Sequence, residues 1–164
     1  MRQTSTDIWK AAGLLDYVVV PTAICVTKQG IAVLGRGIAK AAAGRHPDLA
    51  VEYGSVCAAY GTETPVTTMR LSGRYGSRNL VLFPVQPLNL DAPHLSWRQP
   101  ADIALVRRSL GELRELLPTL KPDMALVFIP DVGCANGLTV GPVRELIEEF
   151  FGQEERVVHV KGAH

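Results

Sequence analysis

The chain has 164 residues, with 17 Lys and Arg against 16 Asp and Glu, a net charge of +1 at pH 7 and 47% hydrophobic residues. A chain of this length buries about two-thirds of its unfolded surface in one core, which predicts a single domain over residues 1–164. The small net charge argues against a nucleic-acid groove, and no apolar run approaches the roughly 18 residues that cross a membrane.

Strands and helices are predicted to alternate along the chain. Five short apolar or β-branched runs predict strands: Asp16–Pro21, Val66–Leu71, Asn79–Phe83, Met124–Ile129 and Arg156–Val160. Four patterns between them predict helices: Gly37–Gly44, Pro47–Tyr60, Ala101–Leu117 and Pro142–Phe151. This alternation predicts an α/β domain with three layers, α/β/α, and with ligand loops at the carboxyl ends of the strands.

Two glycine-containing loops each lead into a predicted helix, one over Val33–Ala39 and one over Pro130–Leu138. The unpaired N–H groups and partial positive charge at a helix N-terminus favour a phosphate, so two such loops suit a diphosphate. Either loop alone is more simply an ordinary turn. Neither has the Gly-Lys-Ser/Thr of a Walker A motif or the Gly-x-Gly-x-x-Gly of a dinucleotide fold.

The order and spacing of several segments resemble a macrodomain from Asp7 to about Val160. The segments that carry this resemblance are Val18–Thr22, Ala32–Ala39, His46–Leu49, Leu82–Pro84, Ser96–Arg98, Ile129–Pro130 and Gly133–Leu138. The last segment is similar to the Gly-Cys-Gly-Asn-Gly-Gly-Leu loop of the branch that includes bacterial, phage and ADP-ribosyl-hydrolase macrodomains. The resemblance implies a three-layer fold with a central mixed sheet, and binding of ADP-ribose or an ADP-ribosylated macromolecule without a cofactor.

The resemblance also implies roles for individual residues. Asp7, followed by Ile8, accepts a hydrogen bond from the adenine amino group, and Trp97 and Phe83 lie near the nucleoside or the distal ribose. The two loops hold the diphosphate, mainly through backbone N–H groups, with these residues: Gly35, Arg36, Gly37, Ile38, Gly133, Cys134, Ala135, Asn136, Gly137 and Leu138. The residues alone leave other interpretations open, namely a helix cap for Asp7 and a core position for Phe83.

The chain departs from the family pattern where catalysis is concerned. Relatives that cleave ADP-ribose often carry a lysine where this chain has Ala43, an asparagine where it has Ala23 and an acid where it has Thr139. The second loop is also one glycine short. Catalysis therefore stays open, and the candidates that remain are Asn136, Asp131 and Lys40.

Three classes of function follow. The first is a module that binds ADP-ribose, the second an ADP-ribosyl hydrolase or ADP-ribose-1″-phosphate phosphatase, and the third a structural or partner-binding domain. Three cysteines without a Cys-x-x-Cys pair and four scattered histidines predict neither a disulfide framework nor a metal site. Cys134 is an alternative nucleophile, because it lies near a helix N-terminus. The N-terminal residues lack an apolar signal segment, so a cytoplasmic location is expected.

Overall fold

A six-stranded sheet forms the centre of the protein. The computed structural model describes residues 1–164. Its strands are β1 (Arg2–Thr4), β2 (Tyr17–Ala23), β3 (Thr67–Leu71), β4 (Arg78–Gln86), β5 (Val127–Pro130) and β6 (Val157–Val160). Its helices are α1 (Ile8–Ala11), α2 (Gly37–Arg45), α3 (Leu49–Tyr60), α4 (Ile103–Leu116) and α5 (Val140–Phe151).

The strand order across the sheet is β1-β6-β5-β2-β4-β3. Every neighbouring pair is parallel except β3 and β4, which are antiparallel. The sheet is therefore mixed, as predicted. Because β2, β5 and β6 run in the same direction, the segments that follow them meet at one edge of the sheet.

Each face of the sheet has its own hydrophobic core. On β2, the side chain of Val19 joins the cluster that includes Leu110 of α4 and Ile147 of α5. The neighbouring Val18 joins the other cluster, which includes Tyr53 of α3. Successive residues of a strand point to opposite faces, so a continuous apolar run fills both cores. The three-layer α/β/α prediction is confirmed.

All five predicted strands and all four predicted helices are present, with shifted bounds. The predicted helix from Ala101 begins at Ile103, because the Asp102 carboxylate accepts a hydrogen bond from the Ala104 N–H at 2.7 Å and caps it. The helix predicted from Pro142 begins two residues earlier, at Val140. The sequence prediction missed β1 and α1, of three and four residues, which are too short to show a period. None of the helices combines the length and apolar character needed to span a bilayer.

Candidate functional site

The two glycine-containing loops lie close together at the carboxyl end of the central strands. A Cβ atom built on Gly37 would lie 3.7 Å from the Cβ of Ala135, which is van der Waals distance. The second loop turns at Gly133 and Gly137, both with positive φ. At Gly133 a Cβ would also lie 2.6 Å from the Leu138 side chain, so this turn requires glycine. Parallel strands thus bring together two loops that are far apart in sequence.

Several backbone N–H groups in these loops have no acceptor within the protein. They belong to Gly35 and Arg36 in the first loop and to Ala135 and Gly137 in the second. N–H groups left unpaired beside the start of a helix bind anions well, since they add hydrogen bonds to the partial positive charge of the helix. Both loops therefore have unpaired donors that suit a negatively charged group.

Four other N–H groups of the loops already have acceptors within the protein. Cys134 donates to the Asp131 carbonyl at 3.2 Å, and Asn136 and Leu138 both donate to the Gly133 carbonyl, at 3.1 and 3.2 Å. Ile38 donates to an oxygen of His164 at 3.1 Å. The first three bonds close the turn of the second loop. The fourth joins the start of α2 to the residues that follow β6.

Two cavities border the first loop. The larger, of about 570 Å³, is lined by Asp7, Ile8, Gly37, Ile38 and residues 161–164, among others. The smaller, of about 70 Å³, is lined by residues that include Ala23, Gly35, Arg36, Trp97 and Asn136. The first loop thus lines both cavities, and we call the two cavities and the two loops together the cleft.

Asp7 has two roles that use different oxygens. Its Oδ1 accepts hydrogen bonds from the backbone N–H groups of Trp9 at 2.9 Å and Lys10 at 3.3 Å, so it caps α1. Its Oδ2 has no partner in the protein, and the residue is exposed at the larger cavity. Ile8, beside it, is buried and supplies an apolar wall. The helix-cap interpretation is therefore confirmed, and one carboxylate oxygen remains free.

Gln86 shapes the smaller cavity and was missed by the sequence analysis. Its side-chain amide donates to the carbonyl oxygens of Trp97 at 2.9 Å and Gln99 at 2.7 Å. These bonds hold the turn Pro93–Arg98 beside the cavity, where Trp97 remains 38% exposed under the guanidinium of Arg98. A buried amide at the end of a strand has no sequence signature, because its partners follow in an irregular loop. Phe83, by contrast, is fully buried in the core.

The architecture closely matches several solved structures. The macrodomain of Mycobacterium tuberculosis DarG superposes with a TM-score of 0.69 at 22% identity, over 97% of this chain and 95% of that one. The macrodomain of Thermus aquaticus DarG gives a TM-score of 0.69 at 21% identity, over 98% and 95% of the two chains. The chain has the macrodomain fold.

A third structure with this fold is Thermosipho africanus DarTG in complex with ADP-ribose, with a TM-score of 0.68 at 18% identity. The match covers 97% of this chain and 40% of that longer one. No protein-family model matches the sequence, and comparison with curated proteins gives no match. The macrodomain fold is therefore established by the three-dimensional likeness.

Within the macrodomain fold, Asp131 stabilises the structure with both of its carboxylate oxygens. Oδ1 accepts from His159 Nε2 at 2.8 Å and Arg144 Nε at 3.1 Å. Oδ2 accepts from Arg144 Nη2 at 2.9 Å and the Gly162 N–H at 2.8 Å. Burial alone would raise the pKa of Asp131, but these hydrogen bonds hold it well below its usual range. A carboxylate bonded in this way is a poor general base.

Cys134 and Lys40 also lack the surroundings that their candidate roles require. Burial, together with the charge of Asp131, raises the pKa of the Cys134 thiol, which works against formation of a nucleophilic thiolate. The Lys40 side chain is exposed on α2 and lines neither cavity. Asn136 differs from both, because it lines the smaller cavity and its side chain makes no hydrogen bond within the protein. No group of three or more His, Cys, Asp and Glu side chains is arranged to hold a metal ion.

Proposed function

We propose that this protein binds ADP-ribose, free or attached to a macromolecule, in the cleft made by the two cavities and the two loops. The observation that carries the proposal is that both loops have unpaired N–H groups and lie close together, while the first loop lines both cavities. A diphosphate with a nucleoside at one end and a ribose at the other has the same arrangement of charge and bulk.

In this proposal the adenine occupies the larger cavity against Ile8, and its amino group donates to the free Oδ2 of Asp7. The diphosphate accepts hydrogen bonds from Gly35, Arg36, Ala135 and Gly137. Binding of a phosphate to Ile38 as well requires its hydrogen bond with His164 to open. The likeness to Thermosipho africanus DarTG, solved in complex with ADP-ribose, supports the choice of ligand.

The distal ribose then lies in the smaller cavity, between Trp97 and the free side chain of Asn136. The family pattern has an asparagine at the position of Ala23, and alanine supplies no hydrogen bond there. The proposal therefore gives most of the binding free energy to the backbone of the loops and to the adenine cavity, and less to the distal ribose.

The leading form of the proposal is a binding module rather than an enzyme. Ala43 and Thr139 replace the lysine and the acid of the family pattern, Asp131 is fully hydrogen-bonded, and Lys40 lies outside both cavities. One observation favours a hydrolytic alternative, namely the unbonded amide of Asn136, which could orient a water against the distal ribose.

Thermal unfolding and calorimetry test the binding proposal. ADP-ribose at about a hundred times its dissociation constant should raise the free energy of unfolding by roughly 2.7 kcal/mol. AMP and ribose-5-phosphate, each offering half of the ligand, should raise it much less at equal concentration. An equal response to AMP would point to a simple nucleotide site. No response to any of the three would favour a structural or partner-binding domain.

Turnover assays separate the binding module from the enzyme. The purified chain is incubated with ADP-ribosylated protein, ADP-ribosylated nucleic acid and ADP-ribose-1″-phosphate, and product release is followed by chromatography. We expect turnover to be absent or far below the typical enzyme range of about 1–1000 per second. Robust turnover that Asn136→Ala abolishes would establish the hydrolytic alternative.

A further inference from the structure

The guanidinium of Arg78, the first residue of β4, gives all of its hydrogen bonds to the segment that forms and follows α1. Its Nη2 donates to the Trp9 carbonyl at 3.1 Å. Its Nη1 donates to the carbonyls of Ala12 at 2.7 Å and Gly13 at 3.1 Å. The last carbonyls of a helix have no partners within the helix. Arg78 therefore caps the carboxyl end of α1.

The position of α1 depends on side chains at both of its ends. The helix closes two backbone bonds of the α-helical type, from Ala11 to the Asp7 carbonyl at 2.9 Å and from Ala12 to the Ile8 carbonyl at 3.1 Å. A helix this short is not stable by itself, because the first turn fixes several residues for few hydrogen bonds. The Asp7 carboxylate caps the amino end and Arg78 the carboxyl end.

Stability alone does not explain an arginine at position 78. The residue is only 9% exposed, forms no ion pair and leaves its Nε without a hydrogen-bond partner. Burial and the charge of Arg45 lower the pKa of Arg78, and Asp16 opposes this only in part. A buried charge of this kind is costly, and apolar residues often stabilise such positions as well or better. The guanidinium adds a planar fork that bonds several carbonyls in one fixed arrangement.

The segment that Arg78 holds also lines the larger cavity. Asp7, Ile8 and Trp9 are among the lining residues, and the Trp9 carbonyl is one of the three that accept from Arg78. The free Oδ2 of Asp7 belongs to the other end of the same short helix. A shift of α1 would move this oxygen relative to the cavity, and hydrogen bonds weaken steeply when they are misaligned.

We infer that Arg78 is a positioning residue that gives the larger cavity its selectivity for adenine, because it fixes α1 and with it the Oδ2 of Asp7. The inference rests on the proposed binding of ADP-ribose. Arg78 lines neither cavity, so it acts through Asp7 and does not touch the ligand. Its replacement should therefore change which base is preferred more than how tightly the diphosphate is held.

Calorimetric titration with ADP-ribose and with its hypoxanthine analogue tests the inference. The analogue carries an oxygen in place of the adenine amino group and cannot donate to Asp7 from that position. The original protein should bind ADP-ribose at least about tenfold more tightly, the effect of one hydrogen bond to a charged group. Arg78→Lys keeps the charge without the fork. This variant should lose most of the preference for adenine, while its affinity for the analogue stays unchanged.

Arg156→Lys is the matched control. Arg156 also donates to backbone carbonyls, including those of Leu117 at 2.7 Å and Ala125 at 3.0 Å, but lines neither cavity. This substitution should lower thermal stability and leave the preference for adenine in place. In Asp7→Ala, which has no carboxylate to position, adding Arg78→Lys should have no further effect on the preference.

The inference is overturned if Arg78→Lys keeps the preference, which would mean that packing of Ile8 and Trp9 is enough to position Asp7. It is also overturned if both ligands weaken equally, because Arg78 would then serve stability alone. If Arg78→Lys does not fold, Arg78→Gln takes its place, and failure of both to fold has the same meaning. Equal binding of both ligands to the original protein would retain ADP-ribose binding but overturn the inference. Binding of neither would overturn the proposed function as well.

Discussion

At the scale of single residues, Asp7 combines structure with the proposed recognition of adenine. Its Oδ1 caps α1, while Oδ2 has no partner at the larger cavity. A change that keeps the cap but removes the negative charge therefore separates the two roles. Asparagine caps helices about as well as aspartate, whereas alanine does not cap them.

We predict that Asp7→Asn weakens ADP-ribose binding without lowering thermal stability. Asp7→Ala should weaken binding and also lower the free energy of unfolding by about 1 kcal/mol, because α1 loses its cap. Calorimetric titration and thermal unfolding measure the two effects separately. If Asp7→Asn binds as tightly as the original protein, Oδ2 does not contact the ligand and Asp7 is only a cap.

Asp131 should make the free energy of unfolding depend on pH. Its folded pKa is held below the unfolded value of about 3.9 by His159, Arg144 and the Gly162 N–H, in spite of burial. A depressed pKa adds stability above the unfolded value, and this stability is lost as the pH falls towards the folded value. We predict that the free energy of unfolding falls below about pH 4 and that Asp131→Asn flattens this fall.

At neutral pH, Asp131→Asn should lower the free energy of unfolding by about 3 kcal/mol, the cost typical of removing one partner from a buried charged network. Urea titrations at several pH values measure both effects. Glu145→Gln is the control, because Glu145 follows Arg144 on α5 but forms no ion pair. If the free energy of unfolding of Asp131→Asn falls below pH 4 as steeply as that of the original protein, other carboxylates dominate acid unfolding.

At the scale of secondary-structure elements, α3 positions the segment that leads into the first loop. A Cβ on Gly54 would lie 2.0 Å from the Gly30 carbonyl oxygen and 2.9 Å from the Ala32 nitrogen, both of them backbone atoms. The Ala32 N–H also donates to the Ala50 carbonyl at 2.8 Å. The helix and the segment therefore pack backbone to backbone, which only glycine at position 54 allows.

We predict that Gly54→Ala lowers both thermal stability and affinity for ADP-ribose, because the segment before Gly35 has to move away from α3. Gly44→Ala is the matched control, since Gly44 lies in α2 with no atom within 4 Å of the added carbon. That substitution should raise the free energy of unfolding by about 0.5–1 kcal/mol and leave affinity unchanged. Equal behaviour of the two variants would contradict the close packing.

The elements also show how far the sequence could predict this protein. Long strands and helices carried clear patterns, so the order and type of nine elements followed from the chain. β1 and α1 could not be predicted, because neither is long enough to show a periodic pattern. Pairing with β6 stabilises β1, and the Asp7 cap stabilises α1. The two loops were recognisable because glycine marks turns.

The contacts around the loops were beyond the reach of the sequence. Which loop N–H groups stay free depends on partners such as His164 for Ile38, which only folding brings close. The same holds for the His159 and Arg144 side chains that engage Asp131 and for the Gln86 amide beside Trp97. Such contacts join residues that are distant in the chain and carry no spacing rule.

At the scale of the whole molecule, the larger cavity joins the first and last elements of the fold. Asp7 follows β1, residues 161–164 follow β6, and the two strands pair over only three residues. The Lys161 N–H extends this pairing by donating to the Thr4 carbonyl at 2.8 Å. A strand held by so few bonds opens locally at a lower free energy than the central strands.

We predict that the amide hydrogens of β1 exchange with solvent faster than those of β2, and that ADP-ribose slows the exchange in β1. The other edge strand, β3, is the internal control, because it lies away from the cleft and should not respond to the ligand. Hydrogen–deuterium exchange measured by mass spectrometry reports both. Protection of β3 equal to that of β1 would mean that the ligand stabilises the molecule globally.

The order of the strands also bears on self-association. A sheet edge with unpaired backbone groups is a template on which another chain can add a strand, and this is a common route to aggregation. One edge here is β1, which offers only three residues. The other is β3, where Arg70 is exposed and donates back to the Asn79 side chain at 2.9 Å. Short length on one side and a tethered charge on the other leave this fold poorly suited to adding strands from neighbouring molecules.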